Sequence, residues 1–169
     1  MTSDDCIEGM GFFPELPQQR LFLALVGQYP EQIIATHYRC HGNLQVLQLT
    51  INLHQPQARR VFLHYHPQIF GDHIVARAES TRTVTTPRLF LALQLSRWDE
   101  RPVYTAALND EMRLVLGCSR RMEAMTAPED FFELTLGLAE ALDHIEEVWK
   151  HRQIFSGLWC HHHPGDPDD

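Results

Sequence analysis

The chain has 169 residues, is 44% hydrophobic and carries a net charge of -8 at neutral pH. A chain of this size can bury most of its apolar surface in one domain without disulfides, while its pI of 5.7 argues against non-specific nucleic-acid binding. Its longest purely apolar run, Leu21 to Val26, is far too short for a membrane span. We expect one soluble, cytoplasmic domain at 17–155, with a flexible lead-in at 1–16 and a flexible tail at 156–169.

A first helix is predicted from Pro17 to Gln28, because apolar residues recur there at helical spacing and a proline follows. The sequence then shows four strand patterns, at 33–40, 47–53, 60–66 and 73–79. Apolar and polar residues alternate strictly in the second, which predicts one buried face. The connections are too short for parallel crossovers, so we expect an antiparallel meander.

A second helix is predicted to begin at Thr86, with Thr86 as the N-cap and Pro87 in the first turn, and to end at Trp98. It is apolar nearly all round, which predicts burial on more than one side. A hairpin follows, with strands at 103–108 and 112–118 joined by a turn.

The excess negative charge lies between Glu123 and Glu147, where eight acidic residues occur with no Lys or Arg. The same stretch is predicted to be a third helix, opened by a capping box formed by Thr126 and Glu129. Its apolar stripe should pack on the core and its carboxylates should face outward. The stripe consists of Phe131, Leu134, Leu138, Leu142, Ile145 and Trp149.

The predicted fold class is therefore α+β: an antiparallel sheet packed by three helices, in the order α-β-β-β-β-α-β-β-α.

Phe132 and Leu136 are predicted to point away from this stripe, with Leu136 set among the carboxylates. Because they are four residues apart on one helix, they should form an exposed apolar pair unless something covers them. We interpret the pair as a candidate contact point for a partner. A partly buried edge of the helix is an equally good interpretation.

The sequence offers one candidate metal pair. His64 and His66 lie two apart on a predicted strand, so both imidazoles should share one face, as in the H-x-H pairs of zinc sites. His54 or His73 could supply a third ligand, but two histidines on a solvent-facing strand are also an ordinary finding.

Motifs for catalysis are absent from the sequence. It contains neither a G-x-S-x-G elbow nor a glycine-rich phosphate loop. Cys118 falls in line with apolar strand residues, which predicts a buried, inert thiol. We therefore predict no enzymatic activity and no cofactor.

The element order, and the stretch from Leu95 to Trp149, resemble the class I type III secretion chaperones and the wider superfamily of that fold. In this stretch a helix ends in an aromatic, and a hairpin leads to Thr126-x-x-Glu129. The segment Leu142-Asp143-His144-Ile145-Glu146-x-x-Trp149 is similar to the leucine, acid and late tryptophan of that family's last helix. The resemblance implies a homodimer without enzymatic activity that holds an extended segment of a client protein.

The resemblance also implies which residues make these contacts. The dimer contact is expected on the second helix, at Leu89, Phe90, Leu93 and Trp98. Client contact is expected on the first helix and early sheet, at Leu21, Phe22, Leu25 and Phe62, with the pair Phe132 and Leu136 added from its expected exposure. Two alternatives stay open: a small metal-dependent β-sheet enzyme that uses His64 and His66, and a regulator that docks its acidic C-terminal helix onto a basic partner.

Overall fold

The computed structural model describes residues 17–53, 58–67, 71–85 and 104–162, the last twelve of these as backbone only. The elements are α1 (Pro17–Gln28), β1 (Ile33–His41), β2 (Leu44–Ile51), β3 (Arg59–Tyr65), β4 (His73–Thr83), β5 (Thr105–Leu108), β6 (Arg113–Arg121) and α2 (Leu136–His162). The predicted α+β class and the antiparallel sheet are confirmed. The predicted count of three helices is not, because the described residues contain two, in the order α-β-β-β-β-β-β-α. The second predicted helix, 86–98, lies outside the described residues.

The six strands form one antiparallel sheet in the order β1-β2-β3-β4-β6-β5. Strands β1 to β4 are the expected meander, and β6 of the expected hairpin pairs with β4. Tight turns need unusual backbone geometry: Gly42, between β1 and β2, has a φ of 62°, which glycine adopts without steric cost. At the β5–β6 turn Met112 takes a φ of 59°, and the Asn109 side chain accepts hydrogen bonds from the backbone N–H groups of Glu111 and Arg113.

Side chains alternate between the two faces of the sheet, and the core lies on one of them. On β2 the buried residues are Leu47, Leu49 and Ile51, as the alternating pattern predicts. Helix α2 packs over β3, β4 and β6 on this face, and its Trp149 is completely buried. Helix α1 packs against residues 128–131, where the Phe22 and Phe131 rings meet edge to face with centroids 5.6 Å apart.

The predicted start of the last helix is wrong. Residues Met122–Ala124 and Pro128–Phe131 form short 3-10 turns, and α2 begins only at Leu136. Asp130, not Glu129, closes the turn, because its Oδ2 accepts hydrogen bonds from the N–H groups of Thr126 and Ala127, both at 2.8 Å. These backbone bonds hold the pKa of Asp130 below its usual value.

Two further contacts explain why the α-helix does not start earlier. The Thr135 hydroxyl donates to the carbonyl of Phe131 at 2.7 Å, and the Tyr104 hydroxyl donates to the carbonyl of Glu133 at 2.7 Å. Side chains thereby take carbonyl groups that a continuous helix would use in its own ladder. All six residues of the predicted apolar stripe are nevertheless buried.

A buried ion cluster joins the sheet to α2. Arg59 begins β3 on the core face and pairs with Asp143 and Glu146 of α2, while the N–H of Thr81 donates to Glu146 Oε1 at 2.8 Å. Burial opposes ionisation of Glu146, but the hydrogen bond and charge of Arg59, with the help of Thr81, hold its pKa below the usual value. Two carboxylates of the acidic stretch, Asp143 and Glu146, therefore point at the sheet and not outward. Among the described residues, no helix has the length and apolar character needed to cross a membrane.

Candidate functional site

Within the described part of the chain, the face of the sheet opposite the core is a candidate binding surface. No described helix packs on this surface, which we call the open face. Its side chains come from the strand positions that alternate with the buried ones, and the strand pairing sets them in rows across the sheet. At its centre lie Val46, Gln48, Phe62, His64, Val75, Arg77 and Val115, all of them half-buried except Arg77, which is exposed.

Phe62 and Arg77 form a cross-strand pair in the middle of the open face. They are directly opposite one another on β3 and β4, and the guanidinium carbon of Arg77 lies 5.7 Å from the centroid of the Phe62 ring. This distance is within the range of a cation–π interaction. Gly117, opposite Arg77 on β6, contributes no side chain, so the pair borders a shallow part of the surface.

His64 lies beside this pair and stays neutral at physiological pH. Its ring centroid is 6.4 Å from that of Phe62. Burial, with a smaller effect from the charge of Arg77, lowers the pKa of His64 to about 4. Its Nε2 atom is buried and has no hydrogen-bond partner among the described residues. His64 therefore contributes a neutral imidazole ring to the open face, and the positive charge there comes from arginine.

Charge is distributed asymmetrically between the two sides of the sheet. On the open face, the only carboxylate among the described strand residues is Glu79, whereas five arginines lie there: Arg39, Arg60, Arg77, Arg113 and Arg121. On the opposite side, α2 carries the exposed carboxylates Glu140 and Glu147. Two of these arginines are paired with carboxylates next to the strands, Arg113 with Glu111 and Arg121 with Glu123. With Arg39, Arg60 and Arg77 set against Glu79, the open face is nevertheless basic and partly apolar, although the whole chain is acidic.

The structure separates the residues predicted for client binding. Phe22, Leu25 and Leu136 are buried in the core, and Leu21 and Phe132 are half-buried against it; Phe62 is on the open face. The expectation that Leu136 is exposed is wrong: it is 1% exposed, because α2 starts at this residue and turns it toward the core. The four residues predicted for the dimer contact, Leu89, Phe90, Leu93 and Trp98, lie outside the described residues.

Among the described residues, the candidate metal pair gains no third ligand, and His73 at the start of β4 does not complete a site. His64 is on the open face, His66 follows the end of β3, and His54 lies outside the described residues. Within the described ranges, no group of three or more His, Cys, Asp or Glu side chains is placed to hold a metal ion. The positive charge of Arg77 beside His64 also opposes a cation there.

Cys118 is buried as predicted, and burial raises the pKa of its thiol to about 11. A thiol with so high a pKa is almost entirely protonated at neutral pH, and the thiolate is the nucleophilic form. Cys118 therefore belongs to the core packing of β6.

Sequence reasoning missed the ion cluster and the basic character of the open face. One available signal was the alternation of β3: Val61 and Leu63 predict a buried face, and Arg59 is in phase with them. The same alternation puts Arg60, Phe62 and His64 on the other face. Comparisons of the chain with protein-family models, with curated proteins and with solved structures found no match.

Proposed function

We propose that this protein is a non-enzymatic binding protein that holds an acidic segment of a client polypeptide on its open face. The observation that carries the proposal is the six-stranded sheet itself, which uses one face for its core and presents arginines among half-buried apolar side chains on the other. The resemblance to type III secretion chaperones likewise implies a protein without enzymatic activity that holds an extended client segment.

The chemistry of the open face fits a polypeptide with both apolar and acidic side chains. Phe62, Val46 and Val75 offer apolar contact area, which supplies most of the favourable free energy of association. The arginines select the sign of the charge and speed the encounter. Arg77 does both, because a guanidinium stacked on Phe62 can still accept a carboxylate.

Binding of a defined probe tests this proposal. The probe is a fluorescein-labelled peptide of about 12 residues in which glutamate and leucine alternate, and its anisotropy is followed at low and high salt. We expect the protein to bind this peptide, with an affinity that falls as salt rises. A peptide with lysine in place of glutamate should not bind.

Charge-reversal variants locate the contact. Arg77→Glu should weaken binding by roughly fivefold or more, since it replaces attraction by repulsion. Arg20→Glu is the matched control, because Arg20 is an exposed residue of α1, on the other side of the sheet. Equal effects of the two substitutions, or failure of the acidic peptide to bind, would contradict the proposal.

The expected homodimer is a separate part of the proposal. Sedimentation equilibrium at micromolar concentration should show a dimer, and a species of 19.6 kDa alone would count against it. Replacing Leu93 by Glu, within the predicted contact, should shift the equilibrium to monomer, while Arg77→Glu should leave it unchanged.

A further inference from the structure

A half-open groove lies on the other side of the molecule, between the turn that follows α1 and the first turns of α2. Its volume is about 310 Å³, which is large enough for one long side chain. We call it the α1–α2 groove; the lining residues that matter here are Tyr29, Gln32, Phe132, Leu136, Glu140 and Asp143.

The walls of this groove combine aromatic rings with carboxylates. The rings of Tyr29 and Phe132 are 5.8 Å apart between centroids and are tilted by 53°, so they form a corner and not a closed stack. Glu140 and Asp143 are three residues apart on α2 and line the same groove, because residues at this spacing share one face of a helix. Leu136, one turn before Glu140, gives the groove an apolar floor.

Aromatic walls next to carboxylates are suited to a cation that carries an apolar stem. The ring faces attract a cation through their quadrupoles, and the carboxylate of Glu140 attracts it by charge. Asp143 adds less to this attraction, because it is already paired with Arg59. We propose that the α1–α2 groove binds an arginine side chain of a partner polypeptide. This site is distinct from the open face and does not depend on the function proposed for it.

Arginine suits the groove better than lysine for geometric reasons. Its guanidinium is planar, so it can lie against the Phe132 or Tyr29 ring while its edge donates to Glu140. An ammonium is a compact and strongly hydrated charge, which loses more hydration when it enters an apolar recess.

The test is a titration followed by backbone amide NMR shifts. The probes are three capped tripeptides, glycine-X-glycine, in which X is arginine, lysine or citrulline; citrulline has nearly the shape of arginine but no charge. We expect the arginine peptide to bind in the millimolar range, in keeping with a ligand of few atoms, and to shift the amides of Tyr29, Leu136 and Glu140. Lysine should bind roughly threefold more weakly, and citrulline should not bind measurably.

Two substitutions and one control complete the design. Glu140→Gln should weaken the arginine peptide by at least roughly fivefold, and Phe132→Leu by roughly threefold, because it keeps an apolar residue but removes the ring. Glu147→Gln removes a charge elsewhere on α2 and should change the affinity by less than about twofold.

Equal binding of arginine and citrulline would overturn the proposal, as would equal effects of Glu140→Gln and Glu147→Gln. Absence of any binding by the arginine peptide would also overturn the proposal, whether the groove is empty or is filled by another segment of this chain. The acidic peptide and the Arg77→Glu variant test the open face separately, so either proposal can fail alone.

Discussion

Replacing Arg59 by methionine removes the cation from the buried cluster and leaves the carboxylates of Asp143 and Glu146 without it. Arg59 and Glu146 are 9% and 8% exposed. Removing one partner of a buried ion pair costs about 3 to 5 kcal/mol. Because the N–H of Thr81 still donates to Glu146, we expect the lower end, about 3 kcal/mol at pH 7. With a urea m value of about 2 kcal/mol per molar, the unfolding midpoint should fall by about 1.5 M.

The pH dependence of this loss gives a second test. In the parent protein the pKa of Glu146 is lowered on folding, so its stabilising contribution is present above the unfolded pKa and is lost as pH falls through the folded pKa. Without Arg59, burial should raise the pKa of Glu146 instead, so that protonation relieves the cost. The difference in unfolding free energy between the Arg59→Met variant and the parent should therefore be smaller at about pH 4.5 than at pH 7.

Arg60→Met is the matched control for both measurements. Arg60 is the next residue of β3, is exposed and lies on the open face, so the same substitution should change the unfolding free energy by less than about 0.5 kcal/mol. Unfolding is followed by tryptophan fluorescence, to which buried Trp149 contributes. Equal midpoint shifts in the two variants, or an Arg59→Met loss that is the same at both pH values, would refute the argument that Arg59 neutralises buried carboxylates.

Three further predictions concern local contacts. The pKa of His64 is about 4 in the folded protein, so the unfolded chain binds this proton first and the folded state loses stability as pH falls from about 6.5 to 4. His64→Gln should reduce that loss of unfolding free energy by about 1 to 2 kcal/mol, as measured by urea unfolding. Gly137→Ala should lower the unfolding free energy by about 1 to 3 kcal/mol in thermal unfolding, because a Cβ there would lie 2.8 Å from the Tyr104 hydroxyl. Gly27→Ala in α1 is the control: nothing lies within 4 Å of a Cβ there, so it should stabilise the protein by about 0.5 to 1 kcal/mol. Asp130→Ala should lower the unfolding free energy by about 1 kcal/mol and Glu129→Ala by much less. The reverse order in denaturant unfolding would support the capping box of Thr126 and Glu129 instead.

The strands could be predicted because their signal is local. Alternation along β2 and β6 reports directly which side of the sheet is buried, and it needs no knowledge of the neighbouring strand. The turn residues Gly42 and Asn109 mark where strands reverse. For the same reason the apolar stripe of α2 could be identified: it depends only on helical spacing.

The start of α2 could not be predicted in this way, and the alternation of β3 puts Arg59 in phase with the buried residues without showing what neutralises its charge. Thr126 with Glu129 has the spacing of a capping box, but Asp130 takes the Thr126 amide that Glu129 would need. The contact of Tyr104 with Glu133 joins residues that are 29 apart in the sequence. An arginine in an alternating strand is assigned to solvent by composition alone. Only the tertiary placement of Asp143 and Glu146 offsets the free-energy cost of burying the Arg59 guanidinium.

The strand order sets the order in which the molecule can assemble. Strands β1 to β4 pair with chain neighbours, so their loops close early. Strand β4 meets β6 through residues as distant in sequence as His73 and Arg121, and such closures are slow. Helix α2 follows β6 and packs across β3, β4 and β6, so its docking site is complete only after that late pairing. During synthesis on the ribosome, α2 can therefore cover the apolar side of the meander only after the last third of the chain has been made. Until then this exposed apolar surface favours aggregation.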